Sequence, residues 1–392
     1  MKRIGQLYDE IVKYENCRAA VLEESRTSRL RRNGRGQELR DNLDAWTRRV
    51  QTRLAHPPFV VQQTYKFEII EGGKKRQIEM NTLFDSICIR AMVRVVEPVI
   101  YARMSPRSYC PIKGRGPLKL ARSIHSALRE MTYVNKQWME LHPKQKRHIW
   151  VLKTDVKKFF PSIGYAVAIE SLRRWIKDED VIAMCSALLK RTDGIPIGAA
   201  YSAMIANCVH LEIDWHMADY LKVLRYWRYM DDCVMLFRSK DAAREALAEY
   251  ARQLGARELT FANKWQIFRA DRRPITLGGF KIRPTGIHIS GRIARHLNSL
   301  FRKAQKRGWA NMAESEWMTA ASLYGWIKST DSFNYRNKWR KTNGDSVFRH
   351  IGMAARARAS RPLPREHHEE RPADPAGCDV YLDAAGGMVG SG

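Results

Sequence analysis

Two adjacent acidic residues between two apolar runs constrain this chain more than any other feature. Asp231 and Asp232 lie close after residues 223–228 and directly before residues 233–237. Both runs are rich in β-branched and aromatic residues, which favours strands. Asp tolerates turn geometry and is costly inside a buried strand, so the acidic pair predicts the tip of a β-hairpin. Such a tip can hold a divalent metal, although a lone acidic pair more often marks a solvated turn.

A third acidic residue stands near the end of another predicted strand. The apolar run 149–156 contains Asp155 at its end. If this strand neighbours the hairpin in an antiparallel sheet, Asp155 and Asp231 can meet at one edge. Their oxygens suit Mg²⁺, and the backbone carbonyl of Val156 could add one more ligand. Successive strand side chains face opposite ways, so we expect Asp231 to be the main ligand and Asp232 the supporting one.

The charge of the chain indicates its partners. The formal net charge is +28 and the sequence pI is about 10.0, which favours a polyanion such as nucleic acid. A membrane surface is not expected, because no apolar stretch reaches the length of a transmembrane span. The Arg-rich segment 25–36 is either a solvated charge run or an arm that contacts phosphates.

Cysteine usage and the N-terminus indicate the compartment. The seven cysteines are scattered without a CxxC pair, so neither structural zinc nor a disulfide framework is expected. The N-terminus carries basic residues without a following apolar segment, so no signal peptide is expected. A cytoplasmic location fits both observations.

The remaining pattern predicts mixed helices and strands. An alternating run at 59–70 and a basic return at 74–78 predict a hairpin with a glycine turn. Apolar periodicity and turn signals predict further helices. These helices are expected at 37–55, 85–101, 117–132, 165–175, 181–189, 201–220 and 242–254, with a basic helical region at 291–348.

Seven segments, in order, resemble motifs of reverse transcriptases. The three palm motifs are Asp155-x-x-x-Phe159-Phe160-Pro161-Ser162, Ile195-Pro196-Ile197-Gly198-x-x-x-Ser202 and Tyr229-Met230-Asp231-Asp232. The other four are Lys75-Arg76-x-Ile78 with Asp85, Ser108-Tyr109 with Lys113-Gly114-Arg115-Gly116, Lys264 after Leu259-Thr260-Phe261, and Leu277-Gly278-Gly279-Phe280. The resemblance covers roughly residues 1–345, and seven ordered motifs make it specific.

Within that family, the chain resembles bacterial enzymes of diversity-generating retroelements and related phage-defence reverse transcriptases. The segments that carry this resemblance are 2–11 with Glu15-Asn16, and 325–328. The chain departs from the retroelement pattern at Ser202-Ala203, where Ser-Gln is usual, and at Asp85-Ser86, where Asp-Arg is usual. Both biological roles therefore stay open.

The resemblance implies an α+β right-hand polymerase with fingers, an antiparallel-sheet palm and a helical thumb. The expected divisions are a basic helical N-terminal extension (1–58), fingers (59–148), palm (149–287, with 165–200 partly fingers), thumb (288–355) and a disordered tail (356–392).

The implied activity is RNA-directed DNA synthesis. dNTPs would be added to a primer end on a dedicated non-coding or retroelement RNA. The catalytic residues would be Asp155, Asp231 and Asp232, and these with Val156 would bind two Mg²⁺ ions, for which Mn²⁺ could substitute. Expected partners are the RNA template, the DNA primer or product and dNTPs, with an accessory protein as a further possibility. The alternative is an RNA-binding scaffold whose polymerase is vestigial or template-independent.

The resemblance also implies contacts to substrates. Phe160 would exclude a 2′-hydroxyl, although it could instead be an ordinary core residue. Gly198 would allow close approach of the backbone to the nucleotide, or would only open a helix. Nucleotide contacts are implied for Lys75, Arg76, Phe160, Ile197, Gly198 and Lys264. Primer or template contacts are implied for Tyr229, Met230, Gly278, Gly279, Lys113 and Arg115. Thumb cations that would follow a duplex backbone are Arg292, Arg295, Arg302, Lys303, Lys306 and Arg307.

Overall fold

The computed structural model describes residues 3–342 with short gaps, together with three residues beyond them. The gaps are 28–29, 31–33, 72–73, 110–111, 113, 191 and 220–222, and the further residues are 349, 351 and 353. Several predicted features fall outside the described residues: Lys113, the glycine turn at 72–73, positions 29, 31 and 32 of the Arg-rich segment, residues 343–348 of the basic helical region, and the tail 356–392.

Short helices open the chain and pack into the main core. Helices α1 and α2 present a buried apolar face that includes Leu7 and Ile11. The carboxylate of Asp178 accepts hydrogen bonds from the backbone N–H groups of Gln6 (3.0 Å) and Tyr8 (3.2 Å), which fixes this segment to a distant helix. The helices are α1 (Leu7–Val12), α2 (Tyr14–Ser25), α3 (Arg35–Asp41) and α4 (Leu43–Ala55).

The structure corrects one helix prediction in this region. The expected single helix 37–55 is broken at Asn42, whose backbone leaves the helical range (φ −111°, ψ 32°). The predicted loop 25–36 also ends earlier than expected, because helix α3 begins at Arg35 and includes Gly36. Propensity alone did not predict this break, because the sequence has no Pro or Gly between 37 and 55.

A separate hairpin and a long helix follow. Strands β1 (Thr64–Glu71) and β2 (Lys74–Asn81) are antiparallel, which confirms the predicted hairpin, and helix α5 (Leu83–Tyr101) follows. The strand begins later than expected, after Phe59 and Val61, which are buried in the core instead. The buried carboxylate of Asp85 accepts from the Gln62 N–H (3.0 Å) and holds this entry segment.

A five-stranded sheet forms the centre of the fold. Its strand order is β3-β5-β6-β4-β7, and all neighbours are antiparallel except β3 and β5. The strands are β3 (Ser108–Tyr109), β4 (Trp150–Asp155), β5 (Arg225–Tyr229), β6 (Asp232–Phe237) and β7 (Gln266–Arg269), with helix α6 (Pro117–Leu141) between β3 and β4. The predicted proximity of the Asp155 strand to the acidic hairpin is confirmed, because β4 pairs with β6.

Helices cover both faces of this sheet. One face packs in a core shared with α1, α2, α4, α5 and four further helices, whereas the opposite face packs against α6. Helix α6 is longer than the predicted 117–132. The further helices are α8 (Tyr165–Arg173), α9 (Glu179–Leu189), α10 (Ser202–Asp219) and α11 (Lys240–Gly255), and a one-turn helix α7 (Phe159–Ser162) stands where a turn was expected.

A small sheet and a helical pair complete the described chain. The helical pair forms a third apolar cluster, centred on Leu297 and Phe301, whereas most buried residues of the small sheet pack in the cluster that contains α6. The elements are β8 (Ile275–Leu277), β9 (Phe280–Arg283), β10 (Gly286–Ile289), α12 (Gly291–Arg307), a 3₁₀ turn (Trp309–Asn311) and α13 (Glu314–Lys328), with residues 333–342 also helical.

Candidate active site

The acidic residues converge at one end of the central sheet. In the β4–β6 register, Asp155 lies directly opposite Asp232. Asp231 occupies the two-residue turn between β5 and β6 together with Met230, whose φ is 54°. The Val156 N–H donates to the Asp231 carbonyl at 3.3 Å, so the turn also bonds to the end of β4.

The two hairpin acids have different surroundings. Burial, then the charges of Asp232 and Asp155, raise the pKa of Asp231 to about 7, and its side chain also hydrogen-bonds to that of Asp155. The pKa of Asp232 is raised as well, mainly by burial. For Asp232, however, the ammonium of Lys153 lies 3.3 Å from the carboxylate and opposes the rise. Of the two hairpin acids, Asp231 is therefore the one that hydrogen-bonds to Asp155 through its side chain, whereas Asp232 pairs with Lys153.

The donor set fits a hard cation. Crowded carboxylates raise each other's pKa, and a divalent ion would relieve that repulsion. The Val156 N–H bonds to the hairpin turn, and the role of the Val156 carbonyl as a ligand stays a prediction. Across the described residues, no group of three or more His, Cys, Asp or Glu side chains is already arranged to hold a metal ion.

A buried ion pair lies behind the acidic turn. Arg228 and Asp214 are both fully buried, and the guanidinium contacts both carboxylate oxygens at 2.7 Å. The same carboxylate accepts from the hydroxyls of Ser108 and Tyr226, each at 2.6 Å. Arg228 also donates to the Met230 carbonyl at 2.9 Å, so the ion pair holds the turn itself.

The sequence interpretation missed this pair. Residues 225–229 alternate arginines and aromatics, and nothing in that run distinguishes Arg228 from the partly exposed Arg225. A usable signal was the Asp214 position, since an acid within a long apolar helix needs a buried partner. Burial alone would raise the pKa of Asp214, but the charge and hydrogen bonds of Arg228 outweigh burial and lower it.

A buried histidine lies in the same region. His210 is fully buried, its Nε2 lies 2.8 Å from the Tyr250 hydroxyl, and Phe159 packs edge-on against its ring. Burial, then the nearby charge of Arg228, lowers the pKa of His210 to about 3. The imidazole is therefore neutral in the folded protein.

The two phenylalanines of the first palm-like motif have separate roles. Phe159 is buried in the core, whereas Phe160 is only partly buried. The Phe160 carbonyl accepts from the Ile195 N–H at 2.9 Å, so this segment is bonded to the loop that precedes α10. In that loop Gly198 has a φ of 102°, a conformation that glycine adopts without strain.

The hairpin β1–β2 is attached to the same loop. Ile78 forms a bridge with Ile197, and the Glu79 N–H donates to the Ile197 carbonyl at 3.2 Å. Lys75 and Arg76 lie near the exposed end of this hairpin, and Lys75 pairs with Glu68 at 3.2 Å. The structure thus connects the hairpin to the candidate nucleotide loop, the segment that contains Ile197 and Gly198. The phosphate contacts of Lys75 and Arg76 stay predictions.

Lys264 follows a segment bonded to the Asp155 strand. The Ala262 N–H donates to the Asp155 carbonyl at 2.7 Å, and the Lys264 N–H donates to the Ala262 carbonyl at 2.6 Å. Lys264 is exposed and lies two residues after Ala262, which bonds directly to Asp155. Its predicted role near a leaving pyrophosphate stays a prediction.

The predicted primer and template residues separate into two places. Tyr229 pairs with Tyr109, and the Met230 N–H approaches the Tyr109 carbonyl at 3.4 Å, so both lie beside the acids. Arg115 donates to the Ser105 carbonyl at 3.1 Å and holds the β3 segment.

The glycine pair stands in the tight turn between β8 and β9. Gly279 has a φ of 86°, and a Cβ there would lie 2.7 Å from the Trp326 ring. The Ser290 N–H donates to the Gly279 carbonyl at 2.8 Å, which joins this turn to the start of α12. Packing alone thus accounts for Gly279, and primer contacts of Gly278 and Gly279 stay predictions.

Comparison with known proteins decides the family. The sequence matches the family described as "Reverse transcriptase (RNA-dependent DNA polymerase)" over residues 71–305, which is more than half of the chain. The chain belongs to the reverse transcriptase family. The match covers the acidic hairpin, the Asp155 strand and the Gly198 loop, so the predicted right-hand polymerase fold with an α+β architecture is confirmed.

Two individual proteins are also similar. Protein YkfC of Escherichia coli (strain K12) is 23% identical over 223 residues, covering 46% of this chain. The chain spans 55% of the length of that relative. A solved structure of apo telomerase from Candida tropicalis, truncated from its C-terminal domain, superposes with a TM-score of 0.44 at 11% identity, covering 59% of this chain and 55% of the telomerase. The family match over residues 71–305 is what identifies the chain as a reverse transcriptase.

Members of this reverse transcriptase family are RNA-directed DNA polymerases, which are nucleotidyltransferases and generally use divalent metal ions, typically Mg²⁺. RNA templates, DNA primers and dNTPs are the corresponding substrates. Among the helices of the described residues, none is both long enough and apolar enough to cross a membrane.

Removing the buried guanidinium should destabilise the fold strongly. We expect Arg228→Met to lower the free energy of unfolding by about 3–5 kcal/mol, because Asp214 would stay buried without a counter-charge. Arg225→Met is the matched control, since Arg225 lies on the same strand in a solvent-accessible pair with Glu130 and should cost less than about 1 kcal/mol. Denaturant unfolding measures both, and equal losses would contradict the assigned role.

The buried histidine should make the fold sensitive to acid. Its folded pKa of about 3 lies below the ordinary value of 6.5, so the unfolded chain binds more protons between these values and stability falls as pH falls through this window. Between pH 7 and pH 5 the wild type should lose about 2 kcal/mol from this group.

His210→Gln removes that contribution while it keeps a side chain that can hydrogen-bond to Tyr250. The stability difference between variant and wild type should therefore change by about 2 kcal/mol in favour of the variant from pH 7 to pH 5. Denaturant unfolding at the two pH values measures this change. Parallel pH profiles would show that His210 is not buried in the neutral form.

Proposed function

We propose that this protein is an active RNA-directed DNA polymerase that adds dNTPs to a primer end. The observation that carries this is the convergence of Asp155, Asp231 and Asp232 at one end of the sheet, within a chain of the reverse transcriptase family. The raised pKa of Asp231 supports a role in cation binding, because crowded carboxylates are stabilised by positive charge.

We further propose the functional division of the chain. The fingers comprise residues 59–148, the palm 149–287 with 165–200 partly fingers, and the thumb 288–355. The helices of residues 1–58 are an N-terminal extension, and their apolar faces pack against α5 in the main core. The basic helix α12 supplies cations for a salt-dependent grip on a duplex.

The residues of the chain divide the work at the active site. Asp155 and Asp231, with the Val156 carbonyl, would hold two Mg²⁺ ions, and Asp232 supports them while Lys153 balances its charge. Such ions, when bound, lower the pKa of the primer hydroxyl and stabilise the leaving pyrophosphate. Arg76 and Lys264 would position phosphates by charge and hydrogen bonds.

The metal assignment is tested by primer extension. We expect Asp231→Ala combined with Asp232→Ala to reduce dNTP incorporation on an RNA template with Mg²⁺ by at least about 100-fold, because a ligand matters more than the groups that support it. Asp241→Ala is the control, since that carboxylate is exposed on α11. Extension that survives the double substitution would contradict the assignment.

If the wild-type protein binds RNA but extends no primer, the result favours the alternative function, an RNA-binding scaffold with a vestigial polymerase. Incorporation of dNTPs without a template would favour the template-independent form of that alternative.

Phe160 is the proposed selector for deoxyribonucleotides. It is the more exposed ring of the pair, and its backbone is bonded to the loop that contains Gly198. A bulky ring under the sugar would clash with a 2′-hydroxyl. Ile197 and Gly198, in the loop that precedes α10, would line the other side of the site that binds the incoming nucleotide.

Shortening that side chain should relax sugar selection. We expect Phe160→Ala to reduce the preference for dNTPs over rNTPs by at least about tenfold, measured as the ratio of kcat/KM values. Phe159→Leu is the matched control, because it changes the buried ring and should cost about 1–3 kcal/mol of stability without a change in selection. An unchanged ratio in Phe160→Ala would remove Phe160 from this role.

We also propose that the template is a dedicated non-coding RNA of a diversity-generating retroelement or a phage-defence system. Sequence similarity at 2–11 and 325–328 supports this, and an accessory protein would be a further partner. A cytoplasmic location is supported by Cys17, Cys88 and the three other described cysteines, all of which are free and buried.

Sequencing of RNA that copurifies with the protein from its own host tests this role. We expect one RNA species to be enriched far above its cellular abundance, because a dedicated template must be selected from many competitors. Enrichment that simply follows abundance would contradict a dedicated template. The same data, read with the neighbouring genes, would separate the retroelement role from the defence role.

A further inference from the structure

A basic cavity lies at the opposite end of the central sheet from the acidic residues. It has a volume of about 270 Å³, near the small end of ligand pockets. Its lining residues His148 and Arg238 directly flank the paired ends of β4 and β6, where Trp150 lies opposite Phe237. The acidic pair is five residues further along both strands, roughly 17 Å away. The cavity is therefore separate from the active site.

Positive side chains dominate this cavity. The described lining includes no Asp or Glu, and its full set is Asn135, Trp138, Gln145, Lys146, Arg147, His148 and Arg238. Outside the lining, the Asp271 carboxylate lies 4.0 Å from the His148 ring and is already paired with Arg269. The described lining of the cavity therefore contains several basic side chains and no carboxylate that would neutralise them.

An aromatic ring fixes the orientation of one guanidinium. The Arg147 guanidinium lies 3.6 Å from the centre of the Trp138 ring, and His142 stacks on that ring at 4.3 Å with an interplanar angle of 11°. A guanidinium held this close to a ring has fewer orientations, which favours binding of phosphate oxygens by its N–H donors.

The two arginines of the cavity lie close enough for their charges to interact. Loss of hydration, then the neighbouring charge of Arg238, lowers the pKa of the Arg147 guanidinium. The amide of Asn135, a nearly buried residue of helix α6, adds a neutral hydrogen-bonding group to the wall. Two adjacent arginines, a lysine and an amide supply the donors that a tetrahedral oxyanion requires.

We propose that this cavity binds a backbone phosphate of a nucleic acid strand at a second site, remote from the active site. A strand is favoured over an acidic protein because phosphates match the planar donors of Arg147 and Arg238, and because a net charge of +28 attracts polyanions. The site anchors nucleic acid that extends beyond the primer and template held at the acids. This inference concerns binding alone and does not depend on polymerase activity.

The test is strand binding without dNTPs. The affinities of a single-stranded RNA and of the DNA strand with the same sequence are measured by fluorescence anisotropy over a range of salt concentrations. The variants are Arg238→Gln and the double substitution Arg147→Gln with Arg238→Gln. Arg173→Gln is the control, since Arg173 is exposed on α8 and paired with Glu179. Thermal unfolding confirms that each variant is folded.

We expect the double variant to bind about tenfold more weakly than the control, with the single variant between them. The slope of log affinity against log salt should become shallower by about 0.7 for each phosphate that the protein no longer neutralises. A weaker affinity for both strands supports recognition of the backbone phosphate, and a weaker affinity for RNA alone supports an RNA strand as the occupant. Ultraviolet crosslinking of the wild type should also join RNA to the segment 135–148.

Two results would overturn the inference. In the first, the double variant has the same affinity and salt slope as Arg173→Gln for both strands. In the second, a polyglutamate peptide binds the wild type more tightly than either strand and loses affinity in the double variant. Because no dNTP is present, neither result depends on whether the protein extends primers.

Discussion

The buried ion pair between Arg228 and Asp214 is the interaction on which the active site depends. Two charges that are removed from water are stabilised only with excellent geometry and further hydrogen bonds, and this pair has both. The pair also holds the acidic turn, because the same guanidinium donates a hydrogen bond to the Met230 carbonyl. A turn fixed from behind can keep Asp231 beside Asp155 despite their mutual repulsion.

The pair also connects the acids to the candidate nucleotide loop. Asp214 lies on helix α10, which begins four residues after Gly198, while Arg228 lies on the strand that leads into the acidic turn. The Phe160 segment bonds to the same loop through Ile195. A displacement of α10 would therefore move the nucleotide loop and the acidic turn together.

The sequence predicted the strands around the acids, because alternation acts over a few residues. That the Asp155 strand neighbours the acidic hairpin was expected from the ordered motifs rather than from local pattern, and unequal ligation by Asp231 and Asp232 stays a prediction. The break at Asn42 and the ion pair of Arg228 were not predicted. The segment around Asn42 has no Pro or Gly to mark the break, and Arg228 resembles its partly exposed neighbour Arg225 until the fold places it against Asp214.

The central sheet separates charge along its strands. At one end, burial and then the charges of Asp232 and Asp155 raise the pKa of Asp231, and at the other, loss of hydration and then the charge of Arg238 lower the pKa of Arg147. Each cluster would be stabilised by a ligand of opposite charge. Strands β4 and β6 join the two clusters rigidly, and their register fixes the distance between them.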